Sequence, residues 1–176
     1  MGGLRLFVAA DVPAAAVAAA TAAAEPFLTA RGARPSARGS HHVTVRFLGE
    51  VAEVEVGGIA EVLRAATSTV APGVARLHGL GTFPIRGPSA NVLWAGVMDG
   101  RTLVDLAARL GDLPGDVRPL HPHVTLCRFP RSVALGDLPG GDFGDPFPLT
   151  AVRLIRSRLG GDGPRYETLR EFPLGG

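Results

Sequence analysis

His42-Val43-Thr44-Val45-Arg46-Phe47-Leu48-Gly49 and Pro122-His123-Val124-Thr125-Leu126-Cys127-Arg128 are two copies of one short pattern. Each sets a histidine two residues before a threonine inside an apolar, partly β-branched run. Such runs read as strands, and strand side chains alternate between faces. Alternation predicts His42, Thr44 and Arg46 on one face, with Val43, Val45 and Phe47 on the core face. In the second copy it predicts His123, Thr125 and Cys127 on one face, with Val124, Leu126 and Arg128 on the other. Polar groups on the inner strands of a small domain are out of place unless something uses them. The expected arrangement is two equivalent strands presenting two His/Thr pairs to one cleft.

Working outward, Leu4 to Ala10 reads as a first strand. Pro13 opens a helix through about Arg31, which Pro26 should kink or split. Gly32 to Gly39 reads as a loop with room for a short strand. Val51 to Ser68 has helical spacing, with Val54, Ile59, Val62, Leu63 and Ala66 as its apolar stripe. Val74 to Phe83 and Asn91 to Met98 read as strands joined through the turn-rich Pro84-Ile85-Arg86-Gly87-Pro88. Leu103 to Leu110 reads as a helix capped by Thr102. Pro130 to Pro148, rich in glycine and proline, reads as a long surface loop or flap. Thr150 to Arg158 and Arg165 to Phe172 read as closing strands joined across Gly160-Gly161-Asp162-Gly163. Short turns between successive strands imply antiparallel pairing, so the expected class is α+β.

At 176 residues the chain is expected to form a single two-lobed domain over 1–176. Hydrophobic content of 46% against 19% charged residues fits a folded protein rather than a disordered one. The net charge of +2 gives no polybasic tail and no strong non-specific nucleic-acid signal. All basic residues are arginine, which suits two-pronged contact with phosphate. Cys127 is the lone cysteine, so no internal disulfide forms and a reducing cytoplasm is the expected setting. Ala14 to Ala24 is too short and too weakly apolar to span a membrane, and the expected assembly is a monomer.

Imidazole titrates near neutrality, so two histidines can share acid–base work. One takes a proton from an attacking water while the other gives one to a leaving oxygen. In-line displacement at phosphorus needs a base on one side and an acid on the other, which two strands facing a cleft supply. Thr44 and Thr125 can each donate a hydrogen bond to a non-bridging phosphate oxygen. Arg46 would neutralise the charge that builds there. No metal and no cofactor are required. The residues alone do not say which histidine is acid and which is base.

These pieces resemble the two-histidine phosphoesterase superfamily, and within it the RNA 2′,3′-cyclic phosphodiesterases, historically called 2′-5′ RNA ligases. The matching segments are Arg5 to Ala9, the first motif through Glu50, Gly81-Thr82-Phe83-Pro84 and Val92 to Gly96. The second motif through Arg128, then Ser157-Arg158-Leu159 and Tyr166, complete the match. The resemblance implies a bilobal fold with two antiparallel sheets facing a central cleft and helices outside. It implies metal-independent hydrolysis of a 2′,3′-cyclic phosphate to a 2′-phosphate, on RNA ends or small cyclic nucleotides. It also implies His42 as proton donor, His123 as proton acceptor, Thr44 and Thr125 on the phosphate, and Arg128 matched in position. ATP-independent 2′-5′ joining, the reverse reaction, and a non-catalytic RNA-end binding module are the competing functions.

Other residues carry weaker signals. His41 is expected on the Val43 face, outside the chemistry. His78 reads as structural or exposed. His121 and His123 have a metal-like spacing, but neither motif supplies further ligands. Cys127 reads as a small buried residue rather than a nucleophile. Tyr166 and Phe7 are placed to stack a base or to pack in the core. Arg156 and Arg158 line either an RNA track or the solvent face.

Overall fold

The chain folds as α+β, and the computed structural model describes residues 3–29, 32–37, 39–85, 87, 89–160 and 163–176. Among these the strands are β1 (Leu4–Asp11), β2 (Arg34–Pro35), β3 (His42–Val51), β4 (Gly73–Phe83) and β5 (Ala90–Met98). They continue as β6 (His123–Val133), β7 (Asp142–Leu149), β8 (Ala151–Gly160) and β9 (Gly163–Pro173). The helices are α1 (Ala14–Leu28), α2 (Val56–Ser68) and α3 (Thr102–Arg109). Strands pair antiparallel in the order β7-β4-β5-β6-β3-β1-β8-β9, with β2 alongside β6.

The two motif strands meet at the middle of this order. Val43 of β3 pairs with Val124 of β6, and that pair joins the two halves into one continuous sheet. The expected pair of separate sheets is therefore corrected to one sheet with a narrow waist. Away from the waist β6 takes β2 on the same edge, with Arg34 opposite Arg128 and Pro35 opposite Cys127. Helix α1 rests on β4 and β7, α2 on β8 and β9, and α3 on β3. Each helix buries its apolar stripe against the strands, such as Ala16, Val17, Ala20 and Ala24 in α1. Leu6, Val8, Val43, Leu63, Leu77, Leu93, Val124 and Leu154 fill the core beneath the sheet. At about 25 cal/mol per Å² of apolar surface, each such side chain contributes about 2 kcal/mol.

Several expected elements shift. Helix α1 ends at Leu28, soon after Pro26, and Arg31 lies outside the described residues. Val51 belongs to β3, and a 3₁₀ turn over Glu53–Glu55 separates it from α2. Val54 therefore leaves the expected stripe and stands 89% exposed. The 130–148 segment is mostly strand rather than flap, because β6 runs on to Val133 and β7 begins at Asp142. Strand β7 lies at the sheet edge, where Pro146 and Pro148 forfeit no ladder bond on the open side. Asp99, not Thr102, caps α3: its carboxylate accepts from the backbone N–H of Arg101 (3.2 Å) and Leu103 (2.6 Å). Gly161 and Asp162 of the final turn, and Arg86 and Pro88 of the β4–β5 connection, lie outside the described residues.

Candidate active site

Each motif strand carries a β-bulge at the same step, and the bulges decide what faces the cleft. In β3 the partners of Val8 and Ala9 are Arg46 and Thr44, so Val45 is the extra residue. In β6 the partners of Leu93 and Trp94 are Cys127 and Thr125, so Leu126 is the extra residue. A bulge puts two successive side chains on one face and reverses alternation beyond it. Val45 and Arg46 are therefore both buried, as are Leu126 and Cys127. Phe47 turns to the cleft face with Phe7, Ala9 and Ile155, and Arg128 is exposed on the face of His123 and Thr125.

Arg46 is thus corrected from phosphate ligand to structural clamp. It is 7% exposed, and its guanidinium donates to the carbonyls of Leu113 (2.5 Å), Gly111 (3.4 Å) and Pro114 (3.4 Å). These bonds tie the loop after α3 to the back of β3. The backbone N–H of Asp116 adds a bond to the Phe47 carbonyl at 2.9 Å. Gly115 sits between, at φ +96°, where a Cβ would lie 1.9 Å from the Phe47 oxygen, so only glycine lets the loop approach.

The two histidines are held alike. His42 Nδ1 bonds the Ser40 carbonyl at 2.7 Å, and His123 Nδ1 bonds the His121 carbonyl at 2.7 Å. A carbonyl only accepts, so Nδ1 carries the proton in both rings and Nε2 is left for the cleft. Each ring also leans on an aromatic neighbour: Phe7 lies 4.9 Å from His42 and Phe83 lies 4.8 Å from His123, between centroids. Tyr166 closes on His42 edge-on at 5.2 Å. The pocket between the motifs is lined by both motif histidines, Thr44, Thr125, Ser36, Ser40, His41 and Tyr166.

Burial lowers both imidazoles below their ordinary value of 6.5. Their surroundings otherwise differ. Asp11, the cross-strand partner of His42 in β1, supports the protonated form of His42. Among the described residues no carboxylate raises His123, while the charges of His121, Arg128 and His42 all lower it. Arg128 also lowers His42, which places its charge within reach of both rings. Asp11 is itself bound to Arg153, which reaches Glu171 at 2.8 Å.

Among the residues weighed from sequence, Cys127 is fully buried and its thiol is pushed up to about 11, against nucleophilic use. His41 precedes β3 and lines the pocket rather than following Val43 to the core face. His78 is exposed and bonds Asp142 at 2.7 Å. His121 presents its ring edge-on to Trp94 at 4.8 Å. Arg156 is the partner of Leu6 and so faces away from the cleft; Arg158, on the same face, bonds Glu167 at 2.8 Å. Among the described residues no three His, Cys, Asp or Glu side chains gather as a metal site would require. Nor is any described helix long and apolar enough to cross a membrane. Ser36 and Asp11 were not legible as site residues: a β2 of two residues and one aspartate ending a strand carry no motif.

Residues 8–94 match the family described as LigT-like phosphoesterase. An RNA 2′,3′-cyclic phosphodiesterase of Thermus thermophilus is 31% identical, over 98% of this chain and 91% of that one. Another, of Aeropyrum pernix, is 35% identical over 74% of this chain and 80% of that one. A crystal structure of a Thermus thermophilus protein superposes with a TM-score of 0.81 at 32% identity, covering 98% of this chain and 99% of that one. The crystal structure of Escherichia coli LigT complexed with 3′-AMP superposes with a TM-score of 0.78 at 27% identity, covering 98% of each.

Proposed function

Because the chain belongs to the LigT-like phosphoesterase family, we propose that its cleft hydrolyses RNA 2′,3′-cyclic phosphate ends to 2′-phosphates. The observation that carries this reading is the matched pair of histidines, each with Nδ1 fixed on a carbonyl two residues back at 2.7 Å. Both Nε2 atoms are then free for proton transfer across one pocket.

In the proposed mechanism water attacks phosphorus opposite O3′. Neutral His123 accepts the water proton at Nε2. Doubly protonated His42 gives its Nε2 proton to O3′ as the P–O3′ bond breaks, leaving a 2′-phosphate and a free 3′-hydroxyl. The Asp11 carboxylate beside His42 supports this division, since the acid is the ring that benefits from a nearby negative charge. Thr44 and Thr125 donate their hydroxyls to the non-bridging oxygens, and Arg128 offsets the charge that builds on them. The phosphate's own negative charge raises both imidazoles when it binds, which brings His42 toward its protonated form. The proposed setting is the cytoplasm and the proposed assembly a monomer.

The test is incubation with a 2′,3′-cyclic-phosphate oligonucleotide in excess chelator, with the product's phosphate position identified. A 2′-phosphate product that disappears in His42→Ala and His123→Ala supports the reading. Activity that survives both substitutions overturns it, and binding without turnover by the parent protein would make the cleft a recognition module instead. A parallel reaction with an added 5′-hydroxyl oligonucleotide reads the joining direction.

A further inference from the structure

Arg34 and Arg128 stand directly opposite each other across β2 and β6. Directly paired residues of an antiparallel ladder project on one face with Cβ atoms about 5 Å apart. The face is the cleft side, because Ser36, one alternation along from Arg34, lines the pocket. Two further bonds fix β2 there: Ser36 Oγ donates to the Thr125 carbonyl and Ser36 N–H to the Leu126 carbonyl, both at 2.9 Å. Two guanidiniums are thus held side by side, one on the short, firmly docked β2 and one on β6, and both are exposed.

Like charges placed opposite each other in a sheet destabilise it. Five exposed arginines elsewhere are answered by carboxylates: Arg64 by Glu61, Arg76 by Asp142, Arg101 by Asp105, Arg118 by Asp116 and Arg158 by Glu167. Arg109, Arg131 and Arg170 are exposed without an ion pair among the described residues, but they do not line up with a second unpaired arginine beside the pocket as Arg34 does with Arg128. Arg34 and Arg128 have no such carboxylate among the described residues. The repulsion persists at the mouth of the pocket, where a polyanion would relieve it. One phosphate accounts for Arg128, whose charge reaches both histidines. Arg34 lies two strand residues beyond Ser36, about 7 Å further from the threonines, which is a second anionic position.

We propose that Arg34 binds the phosphodiester on the 5′ side of the terminal nucleotide, making the cleft selective for RNA ends over free cyclic mononucleotides. This rests on the cyclic-phosphate reading above, with the scissile phosphate held between the two motifs. The guanidinium meets the bridging phosphate in two-pronged fashion, which adds affinity without entering the chemistry. The effect is uniform binding, so it appears in KM rather than kcat.

The test compares a cyclic-phosphate dinucleotide, which has one internal phosphodiester, with a 2′,3′-cyclic mononucleotide. Arg34→Gln should lower kcat/KM on the dinucleotide about tenfold, mainly through KM, and leave the mononucleotide within about twofold. Arg34→Lys should restore part of the loss. The log–log salt dependence for dinucleotide binding should become shallower by about 0.7, one phosphate contact on a single strand. Arg170→Gln, which removes an exposed charge from β9, controls for net charge. Equal losses on the two substrates, or none on either, overturn the proposal. Direct titration with the 2′-phosphate dinucleotide reads the subsite independently of turnover. If the parent protein hydrolyses neither substrate, the catalytic reading fails, and unchanged titration in Arg34→Gln removes the subsite as well.

Discussion

Phe47 and Arg128 both stand five residues after their motif histidine, and a bulge three residues after that histidine turns each toward the cleft. The two halves of the site are therefore built alike in backbone and unlike in chemistry. One half offers an aromatic ring, with Arg5 stacked over it at 5.0 Å; the other offers an exposed guanidinium. In the proposed mechanism Arg128 is the cation that offsets the charge building on the phosphate.

Arg128→Gln should therefore lower kcat/KM on a cyclic-phosphate substrate about a hundredfold, the scale of one lost charge-stabilising donor. The same cation disfavours protonation of both imidazoles. Removing it should let His42 and His123 each titrate at higher pH, read from ring-proton NMR of the free enzyme. A shift in one histidine alone would place Arg128 on one side of the pocket rather than between them.

Arg46→Met tests the clamp. Its guanidinium satisfies three loop carbonyls from a buried position, so the substitution leaves acceptors unpaired and loosens the loop over residues 111–116. A loss of about 2–4 kcal/mol in unfolding free energy is expected, read by denaturant titration. KM for the folded fraction should stay near the parent value. A raised KM with unchanged stability would return Arg46 to the phosphate.

The halves of this picture that were legible in sequence are those set by periodicity. His42, Thr44, His123 and Thr125 precede the bulges, so plain alternation groups each pair on one face. Past residues 45 and 126 the same rule inverts, and it assigned Arg46, Phe47, Cys127 and Arg128 to the wrong faces. A bulge can add one residue without a glycine or proline to announce it, and neither Val45 nor Leu126 has one beside it. Strand β7 was missed for the opposite reason, since its prolines and glycine read as loop while its edge position tolerates them. Asp11 could not be found at all, because its role comes from cross-strand pairing with His42 rather than from any local pattern.

Cys127→Ala should leave turnover within about twofold, since the thiol is buried beneath the sheet and pushed up to about 11. At pH 8 the thiolate fraction of such a group is small. Alkylating reagents should accordingly spare the native enzyme and label Cys127 only after unfolding, read by intact mass. Rapid loss of activity on alkylation would require the β6 bulge to open.

Asp11→Asn separates the two histidines. The carboxylate is isosterically replaced, so packing and strand pairing stay intact while the negative charge beside His42 is lost. His42 is already held below 6.5 by burial, and Asp11 opposes that shift. Its loss should move His42 to still lower pH and leave His123, which Asp11 does not reach, where it was. Arg153, released from Asp11 but kept by Glu171, adds a cation that acts in the same direction. With less protonated His42 at neutral pH, protonation of the leaving O3′ slows, and kcat falls about tenfold while KM changes little. Because the folded state disfavours protonation, the neutral ring favours folding above about pH 6.5, and that contribution is lost as pH falls through the lowered value. Lowering His42 further should therefore steepen the acid-side loss of stability in Asp11→Asn relative to the parent. NMR titration, a kcat profile and a melting series across pH 5 to 8 check the three statements on one variant. If His123 moves instead of His42, acid and base exchange roles.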